Sequence, residues 1–217
     1  MNTDEGKKGA ARKALDFVKP GMTLGLGTGT TIKYFIELLA EKKLSIQAIA
    51  TSVQTEKLAL RHGIPLLDPE KITHLDLAVD GADEIDPQGM MIKGGGGALL
   101  REKISAKMAG GLTVIVDETK RVQQLGKHPL PVEILPWGKQ ATEKELNKKG
   151  FFGKWRENIL SDNGNALFDI HFKELITDPE EVNSQISSIP GVLATGFFFG
   201  LASRVIVGYL DGKVEIV

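Results

Sequence analysis

The residues best able to do chemistry lie in two stretches of the chain, VDGADE and MIKGGGGALLREK. The first stretch holds Asp80 and Asp83, and the second holds Lys93 directly before four glycines and Glu102 in a predicted helix. A carboxylate can transfer a proton, and a lysine can neutralise an oxyanion that develops beside it. Together these residue types outline a site for proton transfer next to a carbonyl group.

Each stretch also has a simpler interpretation. VDGADE is compatible with a solvated acidic turn, and Asp80 with Asp83 is compatible with a Mg²⁺ site. The spacing does not match a calcium-binding EF-hand loop, because residue 82 is alanine. The spacing of Leu100, Ile104 and Met108 predicts an apolar helix face from which Glu102 points away, and a lone helical glutamate is usually a surface residue. The neighbouring acids, Lys93 and the glycines favour the acid–base site, which needs no metal.

A third stretch, GLGTGTT (Gly25–Thr31), resembles a phosphate-binding turn. A dinucleotide fingerprint would require glycine where Thr30 stands, and an acid where the next predicted strand ends in Thr51-Ser52. Neither this turn nor KGGGG supplies the GxxxxGK[ST] loop of ATP-binding proteins. The amides, hydroxyls and helix N-terminus that remain suit one compact anion, although a tight turn needs small residues in any case.

Composition excludes several classes of protein. The chain has 217 residues, 41% of them hydrophobic, a net charge of −1 and no cysteine. A packed core is therefore feasible, and thiolate catalysis, disulfides and cysteine-based metal sites are excluded. The near-neutral charge gives no support to a nucleic-acid or membrane partner. The N-terminal residues lack the pattern of a signal peptide, so we expect a cytoplasmic protein.

The elements that must position these residues follow from hydrophobic periodicity. Short apolar strands alternate with helices in the first part of the chain, which predicts an α/β fold with a mostly parallel sheet and helices on both faces. The predicted strands are Met22–Leu26, Ser45–Thr51, Leu75–Asp80, Met91–Lys93 and Leu112–Asp117. Ligands bind at the carboxyl ends of such strands, where the glycine turn, the acids and Lys93 are expected to converge.

The second part of the chain has a different pattern. Pro129–Pro136 is punctuated by prolines, as in linkers and edge strands. A helix at Ala141–Lys149, a hairpin at Asn163-Gly164 and a helix at Pro179–Ser188 precede a strand, VLATGFFF, and a closing hairpin. This series predicts a small α+β domain. The predicted boundaries are 1–127 with 204–217 for the α/β domain, and 128–203 for the small domain.

Five motifs in the same order resemble type A ribose-5-phosphate isomerase, over nearly the whole chain. They are GLGTGTT, TSxxT at Thr51–Thr55, VDGADE at Val79–Glu84, KGGGGALLREK at Lys93–Lys103 and DNGN at Asp162–Asn165. The resemblance implies a Rossmann-like α/β domain with an inserted ferredoxin-like domain, and a homodimer or homotetramer. It also implies the interconversion of ribose 5-phosphate and ribulose 5-phosphate, without a cofactor or a metal.

The resemblance also implies roles for individual residues. Glu102 is the expected catalytic base, acting through a cis-enediolate that Lys93 stabilises, while Asp80 and Asp83 bind sugar hydroxyls and assist ring opening. The expected substrate-binding residues are Thr28, Gly29, Thr30, Thr31, Gly81, Ala82, Gly94, Gly95, Gly96 and Lys120, with Lys7 reaching the phosphate. The departures from the family pattern are small: Gly97 stands where alanine is common, and serine is also found at position 30.

Three other functions remain open at this point. A sugar-phosphate deaminase, or a CoA transferase with a glutamate nucleophile, could use a related fold. A sugar-phosphate sensor could bind without turnover, but such domains carry a DNA-binding module that this sequence does not show.

Overall fold

The structure is a computed structural model that describes residues 3–217. Its helices, in chain order, are α1 (Asp4–Ala14), α2 (Thr30–Glu41), α3 (Val53–Arg61), α4 (Leu99–Met108), α5 (Lys139–Lys148) and α6 (Pro179–Ser187). Its strands are β1 (Thr23–Leu26), β2 (Gln47–Ala50), β3 (Leu77–Asp80), β4 (Glu84–Ile85), β5 (Met91–Ile92), β6 (Leu112–Asp117), β7 (Leu130–Ile134), β8 (Gly153–Leu160), β9 (Ala166–Ile170), β10 (Val192–Thr195), β11 (Phe197–Phe198), β12 (Ala202–Gly208) and β13 (Val214–Ile216).

The contacts divide the chain into two units. Unit 1 contains the described residues up to Ala82, together with Arg101–Arg121 and Gly200–Val217. Unit 2 contains Asp83–Leu100 and Val122–Phe199. The predicted boundaries left residues 83–100 with the α/β domain, whereas the contacts place them in unit 2. As boundaries of independently folding domains, the predicted ones stay a prediction.

Unit 1 is built on a six-stranded sheet with the order β13-β12-β6-β3-β1-β2. Neighbouring strands from β12 to β2 run parallel, and β13 pairs antiparallel with β12 at the edge. The mostly parallel sheet is therefore confirmed. Parallel strands end at one edge of their sheet, so the segments after β1, β2, β3 and β6 all leave from the same edge.

Strand β1 shows that helices cover both faces of this sheet. Successive side chains of a strand point to opposite faces, and Leu24 and Leu26 enter the same buried core as Phe35 of α2. Gly25 points to the other face, where a Cβ atom would lie 2.2 Å from the hydroxyl oxygen of Ser105 in α4. Helix α4 therefore packs so closely on β1 that only glycine fits there.

Helix α1 packs on the sheet with similar closeness. A Cβ on Gly208, at the end of β12, would lie 1.8 Å from the carbonyl oxygen of Gly6 in α1. On the other side of this contact, a Cβ on Gly6 would lie 2.6 Å from the carbonyl oxygen of Gly208. The start of α1 is thereby fixed beside the carboxyl ends of β12 and β6.

Unit 2 contains an antiparallel four-stranded sheet with the order β10-β7-β9-β8. The chain order β7-α5-β8-β9-α6-β10 is the β-α-β-β-α-β series of a ferredoxin-like fold, as expected. Leu146 of α5 and Ile186 of α6 share one buried core with the strands. Pro129–Pro136 is not a linker or an edge strand: β7 is a buried interior strand between β10 and β9. Pro131 takes part through its carbonyl oxygen, which accepts a hydrogen bond from the Gly196 N–H at 2.6 Å.

A second small sheet of unit 2 corrects the prediction for Met91–Lys93. Strand β5 does not extend the parallel sheet; it pairs antiparallel with β4 and β11 in a three-stranded sheet. The predicted strand VLATGFFF divides into β10 and β11 at Gly196. A Cβ on Gly196 would lie 2.4 Å from the carbonyl oxygen of Lys93, so this glycine lets the backbone pass close to β5 and change sheets.

Candidate active site

The GLGTGTT turn of unit 1 is held by a cluster of hydroxyl groups. The Thr28 Oγ1 lies 2.9 Å from both Thr51 Oγ1 and Ser52 Oγ, and 3.4 Å from Thr55 Oγ1. The Thr55 hydroxyl donates to the carbonyl oxygen of Gly27 at 2.8 Å, and Ser52 caps α3 by accepting from the Thr55 N–H. The TSxxT motif thus fixes the turn, a role that the sequence prediction missed. The signal was the polar Thr51-Ser52 at the end of the next strand.

Asp80 ends β3 directly under this turn. Its Oδ1 accepts hydrogen bonds from the Thr28 N–H at 3.1 Å and the Gly81 N–H at 2.7 Å, and the residue is buried. A Cβ on Gly27 would lie 2.0 Å from the Asp80 carboxyl carbon. Gly27, the middle glycine of the motif, therefore leaves space for the Asp80 carboxylate, because glycine has no Cβ atom.

Helix α2 begins immediately after the turn. Gly29 has φ +126°, Thr30 is exposed, and no side-chain hydrogen bond caps the helix. The first N–H groups of a helix lack intrahelical partners, and the helix dipole adds positive charge there. Thr30 and Thr31 therefore lie where a phosphate would be stabilised, and anion binding by this turn stays a prediction.

Glu102 lies on the buried face of α4, contrary to the predicted helix orientation. Leu99, Glu102, Ser105 and Ala106 are buried, whereas Ile104 is 52% exposed. Helical residues three apart share a face, so Glu102 lies on the same side of α4 as Ser105, the side that packs on Gly25 and the sheet. Met108 ends α4, and its carbonyl accepts from the Leu75 N–H just before β3 begins. The first turn of α4, which holds Glu102, therefore points to the carboxyl ends of the strands. Glu102 is therefore on the edge that carries Gly27 and Asp80.

Lys103, next to Glu102, has an unusual ionisation. Burial lowers the pKa of its ammonium group from 10.5 to about 8, because the charged form loses hydration. Between about pH 8 and pH 10.5, Lys103 is mostly protonated in the unfolded chain and mostly neutral in the folded chain. The free energy of unfolding therefore rises with pH over this range.

This shift predicts a pH-dependent difference between the wild type and Lys103→Met. From pH 7 to pH 10, the free energy of unfolding should move in favour of the wild type by up to about 3 kcal/mol. Urea unfolding at several pH values measures this difference. Lys107→Met, an exposed lysine on the same helix, is the matched control and should show no such trend. A flat difference for Lys103→Met would contradict the shifted pKa.

Two other lysines of unit 1 are predicted to contact substrate, Lys7 and Lys120, and both lie near the carboxyl end of β6. Asp117 accepts hydrogen bonds from the N–H and the hydroxyl of Thr119, which fixes a short 3₁₀ turn ending at Lys120. Lys7 follows Gly6, whose Cβ position lies 3.4 Å from the Cβ of Asp117. Both lysines are partly exposed, and their contact with substrate stays a prediction.

In unit 2, Asp83 is bound by the glycine loop. Its Oδ2 accepts the Gly95 N–H at 2.8 Å, and its Oδ1 lies 4.0 Å from the Nε2 of His128. The Gly95 amide therefore orients Asp83, and the predicted contact of Gly95 with substrate stays a prediction. Gly94 and Gly97 have φ of +100° and +81°, a backbone that residues with side chains rarely adopt, while Gly95 and Gly96 are exposed.

Lys93 is buried at the start of this loop. Its N–H donates to the carbonyl oxygen of Gly196 at 2.8 Å, and its Nζ lies 5.2 Å from the centre of the Phe198 ring. A ring face attracts a cation, so Phe198 stabilises the ammonium group in a buried position. A lysine side chain held in a buried position is the type of group that can stabilise a negative charge developing beside it.

The structure thus groups the predicted residues within each unit. Thr28, Gly29, Thr30, Thr31, Asp80 and Glu102 occupy one edge of the parallel sheet in unit 1, with Gly81 and Ala82 directly after β3. Asp83, Lys93 and Gly94–Gly96 form one loop region in unit 2. Among residues 3–217, no three His, Asp or Glu side chains cluster as a metal site would require. Over the same residues, no helix has the length and apolar character to cross a membrane.

A parallel α/β sheet whose carboxyl edge carries a glycine turn and buried acids belongs to the class of α/β proteins that bind small ligands at this edge. Comparison with known proteins specifies the family. A model of the ribose 5-phosphate isomerase A (phosphoriboisomerase A) family matches residues 47–212. The ribose-5-phosphate isomerase A of Protochlamydia amoebophila is 48% identical over 98% of this chain and 95% of its own length.

Solved structures agree with this result. A D-ribose-5-phosphate isomerase in complex with phospho-erythronic acid is 40% identical, with a TM-score of 0.93 over 100% of this chain and 99% of its own. The ribose 5-phosphate isomerase A of Methanocaldococcus jannaschii is 36% identical, with a TM-score of 0.91 over the same shares. The chain belongs to the ribose-5-phosphate isomerase A family, and it is an isomerase.

Proposed function

We propose that this chain interconverts D-ribose 5-phosphate and D-ribulose 5-phosphate, a step of the pentose phosphate pathway. The observation that carries the proposal is the buried carboxylate of Glu102 on the sheet edge that also holds Asp80 and the glycine turn. Family membership supports the substrate, and it gives no support to a deaminase, a CoA transferase or a sensor.

In the proposed mechanism Glu102 is the base. It removes the proton from C2 of the open-chain aldose, and the C2–H electrons form the C1–C2 double bond of a cis-enediolate while the carbonyl electrons move onto O1. Glu102 then returns the proton to C1, as O2 becomes the ketone oxygen. A buried carboxylate is suited to this role, because it needs no reorganisation of surrounding water during the transfer.

Three other residues support these steps. Lys93 stabilises the negative charge on the enediolate oxygen, and its buried position strengthens that interaction. Asp80 and Asp83 bind sugar hydroxyls, assist ring opening and help to move the proton between O1 and O2. Their orientation is supported by the amides that each accepts, Thr28 and Gly81 for Asp80 and Gly95 for Asp83.

The 5-phosphate is assigned to the turn and the N-terminus of α2. Thr30 and Thr31 offer hydroxyls, and the first amides of α2 offer uncapped N–H groups. Lys7 and Lys120 add positive charge from the carboxyl end of β6, which suits a dianionic phosphate. The solved relative with phospho-erythronic acid supports a site for a short phosphorylated sugar acid.

We also propose that the chain acts as a homodimer or homotetramer in the cytoplasm. Both statements rest on the resemblance to the family. Light scattering of the purified protein, measured over a range of concentrations, tests the oligomeric state.

The central experiment is to mix the purified chain with ribose 5-phosphate and follow the appearance of ribulose 5-phosphate. We expect rapid conversion in both directions, with the same rate in the presence of EDTA, because the proposed steps use only side chains of this chain. No conversion would contradict the function. Strong inhibition by EDTA, reversed by Mg²⁺, would instead support a metal bound to Asp80 or Asp83.

A further inference from the structure

The glycine loop after Lys93 is held by a charged side chain from the antiparallel sheet of unit 2. Arg156 of β8 donates from Nη1 to the carbonyl oxygen of Gly95 at 2.9 Å, and from Nη2 to that of Gly94 at 3.1 Å. Only 15% of the Arg156 side chain is exposed. A mostly buried guanidinium group that binds two successive backbone carbonyls fixes both peptide planes, because hydrogen bonds to charged donors are short and directional.

Asp169 on the neighbouring strand β9 fixes the orientation of this guanidinium. The Arg156 Nε donates to Asp169 Oδ2 at 2.8 Å, and Nη2 donates to Oδ1 at 2.7 Å. With the guanidinium held by this bidentate pair, its remaining Nη1 and Nη2 hydrogens are directed at the loop carbonyls. Lysine cannot reproduce the arrangement, because its single ammonium nitrogen cannot span one carboxylate and two carbonyls at these positions.

The bound loop in turn positions Asp83. The same loop whose carbonyls accept from Arg156 also donates the Gly95 N–H to Asp83 Oδ2, at 2.8 Å. The Gly94 carbonyl also accepts the Gly97 N–H at 2.9 Å, which closes the turn. Four successive glycines have large conformational freedom, so a loop of this composition needs external contacts to stay in one conformation.

We propose that Arg156 is a positioning residue for the isomerisation, acting through Gly94 and Gly95 on Asp83 and held in place by Asp169. The proposal rests on the proposed function, since Asp83 has a role only if that reaction occurs. Arg156 itself contacts backbone carbonyls and not the reacting atoms. Its removal should therefore change how the substrate is held and how fast it reacts.

The test uses Arg156→Ala, Arg156→Lys and Asp169→Asn in the full-length chain. We expect Arg156→Ala to lower kcat/KM on the order of 10²-fold, with KM raised and kcat reduced, because small misplacements of catalytic groups cost about this much. Arg156→Lys keeps a charge beside Asp169 and should still lose most of the activity. Asp169→Asn should show a smaller loss in the same direction. Lys154→Ala, at an exposed lysine on the same strand, is the matched control and should behave as the wild type.

Two further readouts separate positioning from loss of folded protein. Partial unfolding would lower kcat without changing KM, and Arg156→Lys is expected to unfold near the temperature of the wild type. Added guanidinium ion at low millimolar concentration should restore part of the activity of Arg156→Ala, whereas ammonium ion should not.

Hydrogen exchange of the loop amides decides the proposal independently of turnover. The Gly95 and Gly97 N–H groups should exchange faster in both Arg156 variants than in the wild type and Lys154→Ala. If the wild type did not convert ribose 5-phosphate, the proposed function would fail, and faster exchange would still show that Arg156 holds the loop. Normal kcat/KM in folded Arg156→Lys and Arg156→Ala, or activity loss without faster exchange, would overturn the positioning role.

Discussion

Glu102→Gln is expected to lower kcat for ribose 5-phosphate by roughly 10³-fold while leaving substrate binding nearly intact. The amide has the size of the carboxylate but cannot accept the C2 proton, and general base catalysis typically contributes about 10²–10⁴-fold. Glutamine also fills the buried volume that glutamate occupies, so the packing around residue 102 should be kept and stability should not fall sharply. Stopped assays give kcat, and calorimetric titration with ribose 5-phosphate gives the dissociation constant.

Two comparisons make this result specific to Glu102. Lys107→Gln changes an exposed residue of the same helix and should leave both kcat and KM as they are. Glu102→Asp keeps the carboxylate but withdraws it by one methylene, so it should retain more activity than the glutamine variant. A glutamine variant with near-normal kcat would show that another group is the base.

Gly27→Ala is expected to have the second-largest effect, through the fold of the site. The new methyl carbon would lie 2.0 Å from the Asp80 carboxyl carbon and 2.5 Å from its Cβ, both of them buried. Overpacking of a tight core typically costs about 1–3 kcal/mol, and here relief requires moving Asp80 away from the Thr28 and Gly81 amides. We expect a loss of about 3 kcal/mol and nearly complete loss of turnover. Denaturant unfolding and the isomerase assay measure the two effects.

Gly81→Ala is the matched control for stability. Its Cβ would meet only the carbonyl oxygen of Ile115, at 3.7 Å, which is an ordinary contact distance. The stability of Gly81→Ala should therefore stay within about 0.5 kcal/mol of the wild type. If Gly27→Ala were as stable and as active as the wild type, the close packing of Asp80 on the turn could not be what requires glycine there.

Much of the architecture was predictable because it depends on local patterns. The period of two in the strands and 3.6 in the helices identified the parallel sheet, and the Asn163-Gly164 turn identified the hairpin between β8 and β9. The hairpin is further fixed by buried Glu133, whose Oε1 accepts from Ser161, Asn163 and Asn165. This anchor lies about thirty residues from the turn, so no local pattern indicates it.

The errors came from contacts between distant segments. The apolar face of α4 was assigned from Leu100, Ile104 and Met108, yet Ile104 is exposed and small residues face the sheet, because Gly25 lets the helix approach closely. Strand β5 was placed in the parallel sheet because a two-residue strand carries no signal of its partners. Pro131 indicated an edge strand or a linker because proline lacks an N–H group. In the structure its carbonyl oxygen accepts from the Gly196 N–H, and this is sufficient for a position in an interior strand.

The sequence alone determined which groups are available: the carboxylates, Lys93, the glycine turn and the absence of cysteine, in an order that marks one family. Residue type and spacing are properties of the chain itself, so they can be read without coordinates. The tertiary structure decided which groups meet. It turned Glu102 toward the sheet and enclosed Thr28 among the hydroxyls of Thr51, Ser52 and Thr55. It also used the Gly95 amide for Asp83 and brought Arg156 to the glycine loop. Those contacts join residues up to about sixty positions apart, and only packing selects them.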